Sequence, residues 1–168
     1  MVTRTPTRRS FCIAAAAFCA TGPAQARSIV DLAWSDLLPE GSTEMPPALR
    51  GVLEHDEADI AARQPRSSGV RTDWNGQTVR MNGFIVPLDY DGTGVIAFML
   101  VPYVGACVHV PPPPANQLVF VTSARPYESQ GLFEPVTVTG KLTTAATRTQ
   151  LADVGYALTA NRVEAYRG

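Results

Sequence analysis

The stretch QTVRMNGFIVPLDYDGTGVIAFMLV, residues 77–101, decides the fold class. Val79, Met81 and Gly83 alternate with Arg80 and Asn82, the period of two that gives a strand one dry face and one wet face. Asp91, Gly92, Thr93 and Gly94 then form a turn signal, and a second apolar run follows at 95–101. The segment reads as a hairpin.

Moving toward the C-terminus, the same texture repeats. Val136, Val138, Gly140 and Leu142 alternate with Thr137, Thr139, Lys141 and Thr143. The expected strands are 77–88, 95–101, 117–122, 136–144 and 156–166, with a long irregular connection between the second and third. Five strands are too few for an immunoglobulin-like sandwich, which needs about seven. The pattern instead predicts a mainly β domain over 74–168, a small five-stranded OB-like barrel.

Moving toward the N-terminus, the texture changes. An apolar patch at Ile29, Leu32, Trp34, Leu37 and Leu38 ends at Pro39, and a Gly/Ser/Pro stretch follows. Residues 49–62 read as a modest helix whose polar face holds Glu54, His55, Asp56, Glu57 and Asp59. Residues 27–73 are therefore expected to be a short helical arm and linker, too poor in apolar residues to form their own core. Ahead of them, Arg4, Arg8 and Arg9, an apolar run from Phe11 and the small-x-small triplet Ala24, Gln25, Ala26 make residues 1–26 a secretory signal peptide. Arg8, Arg9 and Phe11 also fit the twin-arginine export signature, although paired arginines occur in ordinary leaders too. The expected location is the periplasm.

Composition narrows the function. The 168 residues carry 14 basic and 15 acidic side chains; loss of the leader's three arginines leaves 11 basic against 15 acidic, a formal charge of −4. That balance disfavours nucleic acid and basic-patch membrane binding. No run approaches the roughly 18 apolar residues of a membrane span. Of the 3 cysteines, Cys12 and Cys19 lie in the leader, so Cys107 has no partner for an internal disulfide.

Cys107 sits in the passage Pro102, Tyr103, Val104, Gly105, Ala106, Cys107, Val108, His109, Val110, Pro111, Pro112, Pro113, Pro114, Ala115, Asn116, Gln117. In an extended segment, Cys107 and His109 share a face, and thiolate beside imidazole suits zinc or copper. Further ligands would come from His55, or from Glu54, Asp56, Asp89 or Asp91. The four prolines cannot donate ladder hydrogen bonds and favour a stiff polyproline rod. Asn116 and Gln117 are expected to satisfy backbone groups where the rod rejoins the sheet. No oxyanion motif, phosphate loop, nucleophile elbow or His-Glu-x-x-His helix is present, so an enzyme is the weaker reading.

The string Gly-x-Cys-x-His-x-Pro-Pro-Pro-Pro-x-Asn-Gln, together with Met81 to Leu88, Val119, Val121, Gly140 and Leu142, resembles the bacterial exported family called domain of unknown function 3299. The resemblance spans about 74–166. It implies a setting beside transporter components and metal-handling proteins, and assigns no catalytic role to any residue.

Three expectations follow. The first is a periplasmic metal-binding accessory protein, linked to a transport system, with Cys107, His109 and His55 holding zinc or copper. The second is a metal-free interaction module that docks a transporter component or another envelope protein through Tyr103, Pro111, Pro112, Pro113, Pro114, Asn116 and Gln117. The third makes Cys107 a redox-active thiol tuned by His109.

Overall fold

A computed structural model describes residues 28–42, 64–107 and 112–167. Six strands occur in it: β1 (Val30–Leu32), β2 (Thr78–Asp91), β3 (Gly94–Val101), β4 (Val119–Tyr127), β5 (Pro135–Arg148) and β6 (Asp153–Ala165). The strands β2, β3 and β4 form an antiparallel meander, β4 runs parallel to β6, β6 is antiparallel to β5, and β5 returns to β2. Five strands thus close into the expected OB-like barrel, with β1 as an extra strand.

Closure depends on the length of β2. Its first half, Thr78 to Phe84, pairs with β5, and its second half, Phe84 to Asp91, pairs with β3. The strand must bend between these partners, and Gly83 sits at the bend. A Cβ built there would come within 2.9 Å of the Val101 carbonyl oxygen, a close approach that only glycine allows.

Because β3 has left the first half of β2, that edge is open, and β1 fills it in parallel, Val30 opposite Val79 and Leu32 opposite Met81. The described part of the N-terminal arm is therefore a strand followed by a single 3-10 turn, Trp34–Leu37, and not a helix. An open ladder edge with unpaired backbone groups outweighs the helical spacing of so short an apolar patch. The helix expected at 49–62 and the leader at 1–26 lie outside the described residues. Among the described residues no helix is long and apolar enough to cross a membrane.

Two apolar clusters result. The inner one fills the barrel with Val79, Met81, Ile85, Phe98, Leu100, Val121, Val138, Tyr156 and Leu158, and is stoppered by Leu32 and Leu37. The outer one lies on the other face of β2 and β3, where Val86 pairs across the ladder with Met99. Strand alternation alone separates the two: Ile85 and Leu100 point in, Val86 and Met99 out.

Candidate functional site

The outer cluster carries the Cys/His/Pro passage. After β3 ends at Val101, the chain turns back over the outward side chains of that strand, burying Ala106 and Cys107 against Val86, Met99, Val101, Leu118, Ala152 and Val154. Tyr103, Phe84, Phe120 and Phe133 border the cluster. In barrels of this architecture the outward face of the second and third strands, here β3 and β4, is the usual ligand-binding face. In this chain its apolar centre is covered by the chain's own loop.

Cys107 is the inner end of that cover. Its side chain is 1% exposed, and its backbone adopts φ 67°, the left-handed region that a non-glycine residue enters at a cost of about 1 kcal/mol or more. Burial pushes the thiol up to about 12, so it is protonated at neutral pH. A neutral, enclosed thiol is a poor nucleophile and a poor redox group as it stands.

The far end of the loop is tied just as firmly. Pro112 and Pro113 are buried and Pro114 is half-buried, so the described part of the rod lies against the protein. Gln64 fastens it: its Nε2 donates to the carbonyl oxygens of Pro113 (2.9 Å) and Asp153 (2.7 Å), while its Oε1 accepts the Asp153 N–H at 2.9 Å. One amide side chain, using donors and acceptor together, staples the rod to the start of β6.

A 3-10 turn, Ala115–Gln117, then feeds β4. Asn116 donates from Nδ2 to Ser68 Oγ (3.0 Å) and the Gly69 carbonyl (2.9 Å); among the described residues its buried Oδ1 has no hydrogen-bond partner. Gln117 donates from Nε2 to the carbonyls of Trp34 (2.9 Å) and Asn116 (3.1 Å). Close by in the chain's path, the buried Tyr156 hydroxyl donates to the Leu37 carbonyl and accepts the Arg71 N–H, both at 2.7 Å. Residues 34–37 and 64–71 thus form a belt that holds the loop's exit against the barrel.

His109, Pro111 and His55 lie outside the described residues. Asp89 and Asp91 are exposed at the end of β2, and Asp89 Oδ1 accepts the N–H of Tyr90 at 2.9 Å. Among the described residues, no group of three or more His, Cys, Asp and Glu side chains comes together. Gln64, Ser68 and Tyr156 carry no local sequence signal for these roles. The two polar residues stand in a stretch that reads as linker, and their partners lie far away in sequence. Tyr156 reads only as the start of a strand.

Comparison with known proteins matches this architecture to one family. The model of the family described as protein of unknown function (DUF3299) matches residues 34–165. The crystal structure of a DUF3299 family protein from Pseudomonas aeruginosa PAO1 superposes with a TM-score of 0.72 at 34% sequence identity, covering 84% of this chain and 98% of that one. No curated protein matches the sequence. On the extent of both matches, this chain belongs to the DUF3299 family of proteins of unknown function.

Proposed function

We propose that this is an exported, non-enzymatic accessory protein that docks a membrane transporter component, or another envelope protein, through the loop 102–118 without a metal. The observation that carries this reading is the loop's anchorage. Cys107 is sunk into the outer cluster at one end, and Pro113 is stapled by Gln64 at the other. The described residues up to Cys107 and from Pro112 onward are fixed against the barrel, and Val104, 61% exposed, is presented beside Tyr103. A surface fixed in advance loses little conformational entropy on binding. A thiol pushed up to about 12 by burial favours a packing role for Cys107 over ligation or catalysis.

A second reading rests on the backbone of Cys107. A left-handed φ suits glycine, so a cysteine there gives weight to the thiol as a zinc or Cu(I) ligand together with His109 and His55. In that case the metal displaces the thiol proton, and affinity falls steeply as pH is lowered.

Native mass spectrometry of the reduced protein with zinc and with Cu(I) separates the two. The docking reading expects no stoichiometric metal; one ion per chain, lost in both Cys107→Ser and His109→Ala, would install the metal reading in its place. A photo-crosslinking residue at Val104 in intact cells supplies the positive arm. The docking reading expects one dominant envelope adduct, weakened by Pro112→Ala with Pro113→Ala and retained in Cys107→Ala.

A further inference from the structure

The barrel has a second outward face, made by β1, β2, β5 and β6, away from the loop just described. Side chains on it are set in rows by the strand register. One row runs Asp31, Arg80, Thr139, Arg162, each directly opposite the next on the neighbouring strand. The adjacent row runs Asn82, Thr137, Glu164. Neighbouring strands lie about 4.8 Å apart, so Arg80 and Arg162 flank Thr139 at a backbone separation of about 10 Å, within the reach of two arginine side chains. A cleft of about 500 Å³ lies here, lined by Arg80, Thr137, Thr139, Arg162, Glu164 and Arg167 among others.

We propose that this cleft binds a phosphate group, with Arg80, Arg162 and Arg167 as the cationic donors and the Thr139 hydroxyl as the neutral donor between the first two. Three guanidiniums face two carboxylates, Asp31 and Glu164, so the site is locally positive on a chain whose formal charge is −1. The two acidic residues are already engaged: Arg80 Nε contacts Asp31 at 2.6 Å, and Arg162 Nε contacts Glu164 at 2.8 Å. Both pairs are exposed; Arg80 also reaches the second Asp31 oxygen through Nη2 at 3.3 Å, whereas the Arg162–Glu164 pair is a single exposed contact of the kind that holds weakly. Each guanidinium has five N–H donors, so several remain for an anion after one carboxylate is satisfied. Among the described residues Arg167 has no ion-pair partner, and Thr139 Oγ1 no hydrogen bond. The Thr137 hydroxyl is committed, since it donates to Asn82 Oδ1 at 2.8 Å. Guanidinium donors on strands either side of a hydroxyl can meet the spread oxygens of a phosphate once their remaining N–H groups turn toward it. The cleft's volume falls in the ordinary range for small-ligand sites.

The test is a titration of the purified protein with inorganic phosphate at constant ionic strength, followed by the backbone amide shifts of Thr137, Thr139 and Arg162. A saturable shift is expected, with affinity weakened about ten-fold or more in Arg80→Gln with Arg162→Gln and tightened in Glu164→Gln. No saturable shift, or an affinity the double variant leaves unchanged, would overturn the proposal. Should the double variant fail to fold, Glu164→Gln decides alone: tighter binding supports the site and unchanged binding rejects it. Vesicles of phosphatidylglycerol against phosphatidylcholine then identify the source. Sedimentation with the anionic vesicles alone assigns a lipid headgroup, and phosphate binding without sedimentation assigns a soluble phosphate ester.

Discussion

The two apolar clusters are built in different ways. The inner cluster is assembled by strand alternation: the residues that line it from β2 to β6 follow the period of two, with one break on β3, where a register shift between Val95 and Ala97 sets Val95 three residues from Phe98. The outer cluster is gathered from strand faces and from loops near residues 103–107, 118, 133 and 151–152. The two described non-glycine residues with positive φ, Cys107 at 67° and Phe133 at 61°, both belong to it. Regular structure fixes the interior; tethered, strained loops fix the cover. The difference places conformational cost in the cover and keeps it out of the scaffold.

Substitutions can break or sharpen that contrast. The largest effect is expected inside: Phe98→Ala, at a fully buried position of β3, should cost about 3–5 kcal/mol, measured by urea unfolding followed by circular dichroism. A loss under about 1 kcal/mol would mean that the interior is no better packed than the cover.

The next expectation concerns pH. The Cys107 thiol rises from an ordinary value of 9.0 to about 12 in the folded chain, because burial disfavours the thiolate. The unfolded chain releases that proton first, so stability is full below about pH 9 and declines as pH climbs toward 12. The decline is about 1.4 kcal/mol per pH unit in that window. Cys107→Ala should remove this component, and the difference between the two unfolding profiles isolates the thiol from Tyr127 and Tyr156, whose hydroxyls desolvation also pushes up. Identical profiles would put Cys107 in contact with solvent.

Tyr156→Phe comes third. It deletes the hydroxyl that joins Leu37 to Arg71 and should cost about 1–3 kcal/mol, with amide exchange of residues 34–37 accelerated. Unchanged exchange there would show that the belt does not depend on this bond.

The smallest expectation is also the sharpest. At most sites glycine is less stable than alanine, but at Cys107 the left-handed backbone should make Cys107→Gly more stable than Cys107→Ala by about 0.5–1 kcal/mol. The usual order would show that the backbone is unstrained.

This contrast also explains what the sequence discloses. Val79/Arg80/Met81/Asn82 and the Val136 to Leu142 alternation point to two barrel strands, and turn residues such as Gly92 mark their ends, because these signals are local. The extension of β2 to Asp91 and of β5 to Arg148 escaped, since the added residues at these strand ends are exposed or only half-buried and carry no apolar period. The pairing of β1 escaped too: it depends on the ladder edge that β3 vacates, a tertiary fact. At the candidate site, the passage around Cys107 is conspicuous in composition, but its burial is not. Nothing near Cys107 in sequence reveals that Val86, Leu118 and Val154 will close over it. The row formed by Arg80, Thr139 and Arg162 is likewise invisible until three strands are in register.

The burial of Cys107 in the packed cover is central to the site. Its most direct test is the rate at which a thiol reagent labels the native protein at pH 8, compared with the urea-unfolded chain. The account predicts labelling at least about a thousand-fold slower in the native state, limited by opening of the cover. Labelling within about ten-fold of the unfolded rate would contradict it, and would return Cys107 to the list of accessible ligands and nucleophiles.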